Sequence, residues 1–160
     1  MGELELISRV DALQLRYADA LDSKDMDAWV NCFDEQGASY ICIALENVRD
    51  ELPLALMMDD SIARIRDRAK FVTKVWAGTF EDYTTRHFVQ RLTVQPGTET
   101  LVTVRSNFMV TYTTAAGSSE ILATGQYLDE IGLPDSGAFF RSRRAVLDTV
   151  ATPRYLVYPI

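Results

Sequence analysis

Hydrophobic positions change their period about halfway along this chain. From Glu3 to Leu21, the residues Leu6, Val10, Leu13, Tyr17 and Leu21 recur at steps of 4, 3, 4 and 4. That spacing puts them on one stripe of an α-helix, with Asp11, Gln14, Arg16 and Asp19 on the other faces. Ser23 or Asp25 then suits the cap of a shorter helix whose apolar set is Met26, Trp29, Val30 and Phe33. Two amphipathic helices on a short polar link predict a helical hairpin. Gly37 closes it, and Ala38–Leu45 is almost wholly apolar, which predicts a strand covered on both faces. Residues 46–58 carry no clear period, and Pro53 argues against a central strand there. Asp59, Asp60 and Ser61 are predicted to open a third helix, with Ile62, Ile65, Ala69, Val72 and Trp76 as its stripe and Gly78 as its end.

Beyond Tyr83 the period falls to two. Strands are predicted at about Thr85–Gln95, Leu101–Thr114, Glu120–Ile131 and Phe139–Val150, divided by Pro96-Gly97, by 115–119 and by the loop 132–137. Long neighbouring strands on short links imply an antiparallel meander. The fold class that follows is α+β: N-terminal helices packed on one face of a strongly curved, mainly antiparallel sheet, in a cone shape. The 160 residues fit one domain, residues 1–160, without an internal repeat or linker. With 48% hydrophobic residues the chain can build a sizeable core.

The net charge of −7 disfavours nucleic acid and anionic membrane surfaces as partners. No targeting segment and no membrane-spanning apolar run is visible, so the expected location is cytoplasmic. Cys32 and Cys42 lie in apolar runs and are expected to be core thiols.

The chemistry is constrained by a short supply of ligands. His87 is the chain's single histidine, and only two cysteines accompany it. A Rieske cluster needs two of each, and a facial-triad iron site needs two histidines and a carboxylate. Neither can be built from this polypeptide. Glycine-rich nucleotide loops and a Gly-x-Ser-x-Gly elbow are also missing. One enzymatic constellation survives: Tyr17, Asp34 and His87 doing acid–base work in a cone pocket. Its alternative is a structural or interface histidine. Arg86, His87, Arg141, Arg143 and Arg144 form basic spots on an acidic chain. They are either solvated strand edges with weak ion pairs or an interface for an acidic partner surface. Trp29 and Trp76 sit in apolar stripes and are expected in the core.

With these features in place, the chain resembles the small (β) subunit of Rieske non-haem iron aromatic-ring-hydroxylating dioxygenases, from about Val10 to Ile160. The residues that carry the likeness are Tyr17-Ala18-Asp19-Ala20-Leu21-Asp22, Trp29 with Phe33, Tyr40, Arg68, the Arg86-His87 pair, Gly125-Gln126-Tyr127-Leu128-Asp129, Arg144-Ala145-Val146-Leu147-Asp148 and the ending Tyr158-Pro159-Ile160. The resemblance implies the cone fold shared by ketosteroid isomerase, scytalone dehydratase and nuclear transport factor 2. It also implies no cofactor in this chain. The Rieske cluster and the mononuclear iron belong to a partner α subunit, within an α3β3 assembly whose β subunits self-associate as a trimer. A reductase, with or without a ferredoxin, supplies electrons indirectly. Many members have a proline soon after the strand tyrosine. Tyr40-Ile41-Cys42-Ile43 departs from that and looks more like the branch acting on aromatic acids such as terephthalate or salicylate. A stand-alone cone-fold dehydratase or isomerase, or a small-molecule binding protein, is the alternative.

Overall fold

The computed structural model describes residues 2–98 and 100–160. Helix α1 (Glu3–Asp22) and helix α2 (Met26–Val30) form the expected hairpin. Asp25 is the cap of α2, its carboxylate accepting the Ala28 N–H at 2.9 Å. Strand β1 (Ser39–Ala44) follows, then helix α3 (Leu45–Arg49), strand β2 (Ala55–Asp59) and helix α4 (Ile62–Lys70). Strands β3 (Tyr83–Pro96), β4 (Leu101–Thr114), β5 (Ser119–Gly132) and β6 (Phe139–Leu147) complete the fold.

The strands form one six-stranded sheet in the order β2-β1-β6-β5-β4-β3. The four C-terminal strands are the antiparallel meander that period-two spacing predicts. β1 joins β6 in parallel and β2 antiparallel. Register shifts occur at Cys42/Ile43, Arg91/Thr93, Val110/Thr111 and Glu130/Ile131. Each extra residue bends its strand and deepens the local twist. The sheet can therefore wrap α1, whose residues reach both Arg91 on β3 and Arg143 on β6.

Three local expectations are corrected. Asp59 ends β2 instead of opening α4, and Ser61 is the cap, accepting the Arg64 N–H. β2 itself was not foreseen; Pro53 ends up in the link before it, and an edge strand tolerates such a neighbour. The α4 stripe does not continue to Trp76, because residues 71–75 form a π-helical turn with the Trp76 N–H bonded to Phe71 O at 2.9 Å. The wider turn inserts a residue and moves the indole off the stripe, so Trp76 is 36% exposed instead of in the core.

Trp29, Cys32 and Cys42 are buried as expected. The core is rich in rings: Tyr17 meets Phe33, Tyr127 and Phe140 edge-on, and Phe108 stacks on Tyr127 at 4.4 Å. Ile160 is also buried; Tyr17 and Tyr40 donate hydroxyl bonds to its carbonyl at 2.6 and 3.2 Å. No helix among the described residues is long and apolar enough to cross a membrane.

Candidate functional site

Between α1 and the sheet, at the centre of the fold, this chain has placed a guanidinium. Arg143 on β6 shares its inward parity with Ala145 and Leu147, so the pleat points it at α1. It is fully buried. Its Nε and Nη2 each lie 3.0 Å from an oxygen of the Asp129 carboxylate on β5, and Nη2 also donates to Gln14 Oε1. Gln14 Nε2 closes the ring by donating to Asp129 at 2.9 Å. The ring centroids of Tyr17, Tyr127 and Phe140 lie about 4 Å from its Cζ, within cation–π distance. Burial opposes its charge, but Asp129 and the surrounding phenols outweigh burial and raise its pKa further above the ordinary arginine value. Burial in turn pushes the Tyr17, Tyr40 and Tyr127 hydroxyls well above the usual phenol range. This centre cannot give up a proton near neutral pH.

Two expectations fail here. Arg143 is not available to a partner surface, because it lies wholly inside. Gln14 does not lie on a solvent face of α1; it is buried at i+4 from Val10 and i−3 from Tyr17. A helical stripe wide enough for a curved sheet takes in that position.

Tyr17, Asp34 and His87 are not brought together. The Tyr17 hydroxyl donates to Ile160 O, Asp34 pairs with Arg141 at 2.5 Å, and His87 pairs with Asp22. His87 Nδ1 is 2.6 Å from Asp22 Oδ1, and Asp22 also accepts the His87 N–H at 3.0 Å and the Thr85 hydroxyl at 3.0 Å. Burial lowers the His87 pKa, only partly offset by Asp22. Burial alone would raise Asp22, yet the His87 and Thr85 hydrogen bonds outweigh it and hold the carboxyl below its ordinary range. The neutral imidazole therefore carries its proton on Nδ1, facing Asp22. Its Nε2 is sealed from solvent and has no hydrogen-bond partner, so no substrate atom can touch the one nitrogen able to accept a proton. Nearby Lys24 reaches Thr85 at 3.0 Å and lies over Tyr83 and Tyr158, with burial pulling its pKa down to about 8.

The donor set does not fit iron. His87 is the only imidazole and is committed to Asp22. Burial raises the Cys32 and Cys42 thiol pKa values, which disfavours the thiolates that metals need. Among the described residues no three His, Cys, Asp or Glu side chains group to hold a metal.

The remaining nominated residues lie on the surface or edges. Arg86 bonds only the Thr85 carbonyl, at 2.7 Å. Arg141 is held by Asp34. Arg144 is half-buried on the outward side of β6 and makes no ion pair with the described residues. The side chain of His87 is only 2% exposed, which removes it from any interface.

Comparison with known proteins fixes the class. A family model described as "Ring hydroxylating beta subunit" matches residues 16–153. The chain belongs to the ring-hydroxylating β-subunit family. It is similar to named dioxygenase subunits. It shares 27% identity over 148 residues with the anthranilate 1,2-dioxygenase small subunit of Burkholderia cepacia, covering 92% of this chain and 90% of that one. It shares 26% over 152 residues with subunit beta 2 of the terminal oxygenase component of terephthalate 1,2-dioxygenase from a Comamonas species, covering 95% and 97%. Among solved structures, the β subunit of a proposed aromatic-ring-hydroxylating dioxygenase from Novosphingobium aromaticivorans superimposes with a TM-score of 0.85 at 26% identity, over 99% of this chain and 100% of that one. A proposed scytalone dehydratase from the same organism reaches 0.69 at 18% identity, over 98% and 90%, and shows the shared cone fold alone. The β-subunit family thus uses a fold that also occurs in a dehydratase-like protein, and here its centre is filled.

Proposed function

We propose that residues 1–160 act as one non-catalytic domain that assembles with, and stabilises, the iron-bearing α subunit of an aromatic-ring-hydroxylating dioxygenase. The observation that carries this reading is the plugged centre. Arg143, Asp129, Gln14 and three aromatic rings fill the space between α1 and the sheet. A member of a family of oxygenase subunits that fills its centre with a buried ion-pair network is best suited to a supporting role. Support works by mass action: a partner that binds the folded α chain and not the unfolded one shifts α toward its folded state.

The chemistry then resides on α, which holds the Rieske cluster and the mononuclear iron and hydroxylates the ring, with electrons arriving from a reductase or ferredoxin in the cytoplasm. An aromatic acid is the substrate class we favour, because the related subunits are named for anthranilate and terephthalate dioxygenases and because Tyr40 lacks a following proline. An α3β3 stoichiometry is the expected assembly.

The test is co-expression with the neighbouring α chain, identified by Cys-x-His followed by Cys-x-x-His. A stable iron-containing complex should form, and α alone should be less soluble or less heat-resistant. This chain alone should carry no iron–sulfur absorbance and should turn over no arene. Failure to associate with that α chain, or ring hydroxylation by this chain unaided, would overturn the proposal.

A further inference from the structure

One face of the sheet packs on the helices; on the other, Ile43 and Val146 are buried, but the outward positions of β3, β4 and β5 stay partly or fully exposed. Register and burial together define what that outward face carries. Direct cross-strand neighbours place Met58, Ile41, Arg144, Leu128 and Arg105 in one row running from β2 through β1, β6 and β5 to β4. A parallel row holds Gln90, Asn107 and Gln126, joined by amide hydrogen bonds at 3.1 and 3.0 Å. Phe88 and Met109 pair beside it. Phe88 is 54% exposed and Leu128 40% exposed. Arg105 and Arg144 flank Leu128 in a groove of about 470 Å³.

The charge distribution is uneven. The chain is acidic, yet this face presents Arg86, Arg105 and Arg144, none of which pairs with a carboxylate among the described residues. The acids of β3–β6 leave them little to pair with: Glu120 accepts from Tyr112, Asp129 is turned inward on Arg143, and Glu130 alone stays beside the groove. The three lysines, Lys24, Lys70 and Lys74, lie on the helical side and its loops. A surface bearing arginine, methionine and phenylalanine without lysine has the composition of an interface centre. The four long strands at ~4.8 Å spacing over ~30 Å, with the shorter β1 and β2 adding less than ~20 Å each, give on the order of 700 Å², close to the ~800 Å² per partner of a stable complex.

We propose that this outward sheet face is the docking surface for the α subunit, and that Arg105, Arg144 and Arg86 meet carboxylates of that subunit. The inference rests on the β-subunit role argued above and adds where the contact lies and its sign. A second copy of this chain packed face to face would set arginine against arginine, which like-charge repulsion disfavours. An acidic α surface lets each guanidinium donate a bidentate pair of hydrogen bonds to a carboxylate.

The experiment compares complexes of full-length variants with the co-expressed α chain, by pull-down and by titration of purified subunits. The double variant Arg105→Glu/Arg144→Glu should bind α at least tenfold more weakly, as should Leu128→Asp. The control Lys70→Glu/Lys74→Glu makes the same change in net charge on the helical side and should bind like the wild type. Circular dichroism and thermal melting verify that each variant is folded. If the wild type binds α and both outward-face variants bind it equally well, the docking surface is wrong while the β-subunit role stands. If the wild type binds no α chain, both fall. If the variants keep α but change their own oligomeric size, the face belongs to a second copy and the inference is overturned.

Discussion

At the scale of single residues, Arg143 decides whether the centre of the cone is a pocket or a plug. A buried ion pair is a poor source of net stability but a costly thing to break, because the surviving partner remains desolvated and unpaired. Arg143→Met should therefore destabilise the chain by ~3–5 kcal/mol in urea denaturation. Replacing the whole network, as Arg143→Met/Asp129→Leu/Gln14→Leu, should recover stability to within about 2 kcal/mol of the wild type. If the single variant costs nothing, the network is not holding the centre together. His87 gives a second residue-scale prediction. Its folded pKa lies below the unfolded value of about 6.5, so the unfolded chain binds the extra proton first. Stability should fall as pH drops below about 6.5, continuing downward until the folded imidazole itself protonates. Asp22, also depressed, acts in the same direction at lower pH. Because His87 is the only histidine, a His87→Gln variant should show little change in melting temperature between pH 7 and pH 5 where the wild type shows a clear drop. Equal slopes for the two proteins would remove His87 as the cause.

At the scale of elements, periodicity revealed what was long and regular, and missed what was short or strained. The α1 stripe and the four long strands could be read because each repeats its pattern over several turns or pleats. β2 could not, since five residues after a proline and a short helix carry almost no periodic signal. The π-helical turn was equally hidden, because an inserted residue changes phase without changing composition. The inward direction of Arg143 was legible in principle: it is in step with Ala145 and Leu147, and Asp129 with Tyr127 and Ile131. Charge argued for the surface and parity for the interior, and parity prevailed because two opposite charges and an amide meet there. Gly125 shows how tightly β5 and β6 are fitted. A Cβ at that position would sit 2.0 Å from the Val146 carbonyl oxygen and 2.9 Å from the Phe108 ring. A backbone atom cannot rotate away as a side chain can, so Gly125→Ala should cost ~3 kcal/mol by overpacking. Thermal or urea unfolding would check it, and a neutral outcome would mean the β5–β6 pair has slack that this geometry does not show.

At the scale of the whole molecule, the two faces of the sheet divide the work. The inner face holds the rings and the buried ion pair, and fixes one rigid shape. The outer face has arginines without a carboxylate partner among the described residues, and its contribution should appear in association kinetics. Exposed charges attract over a Debye length of ~8 Å at physiological salt and ~3 Å at 1 M. Raising salt over that range should therefore slow α–β association several-fold, through loss of electrostatic steering. Leu128→Asp should instead act mainly on dissociation, because it spoils packing in the contact. Stopped-flow mixing of the two purified subunits separates these effects. If association is salt-independent while Arg105→Glu/Arg144→Glu still weakens the complex, the arginines act only after contact is made, as hydrogen-bonding groups within the formed interface. If salt slows association of that variant as strongly as of the wild type, the steering field comes from elsewhere on the chain. The helical side with Arg64, Arg66, Lys70 and Lys74 would then be the surface to reverse next.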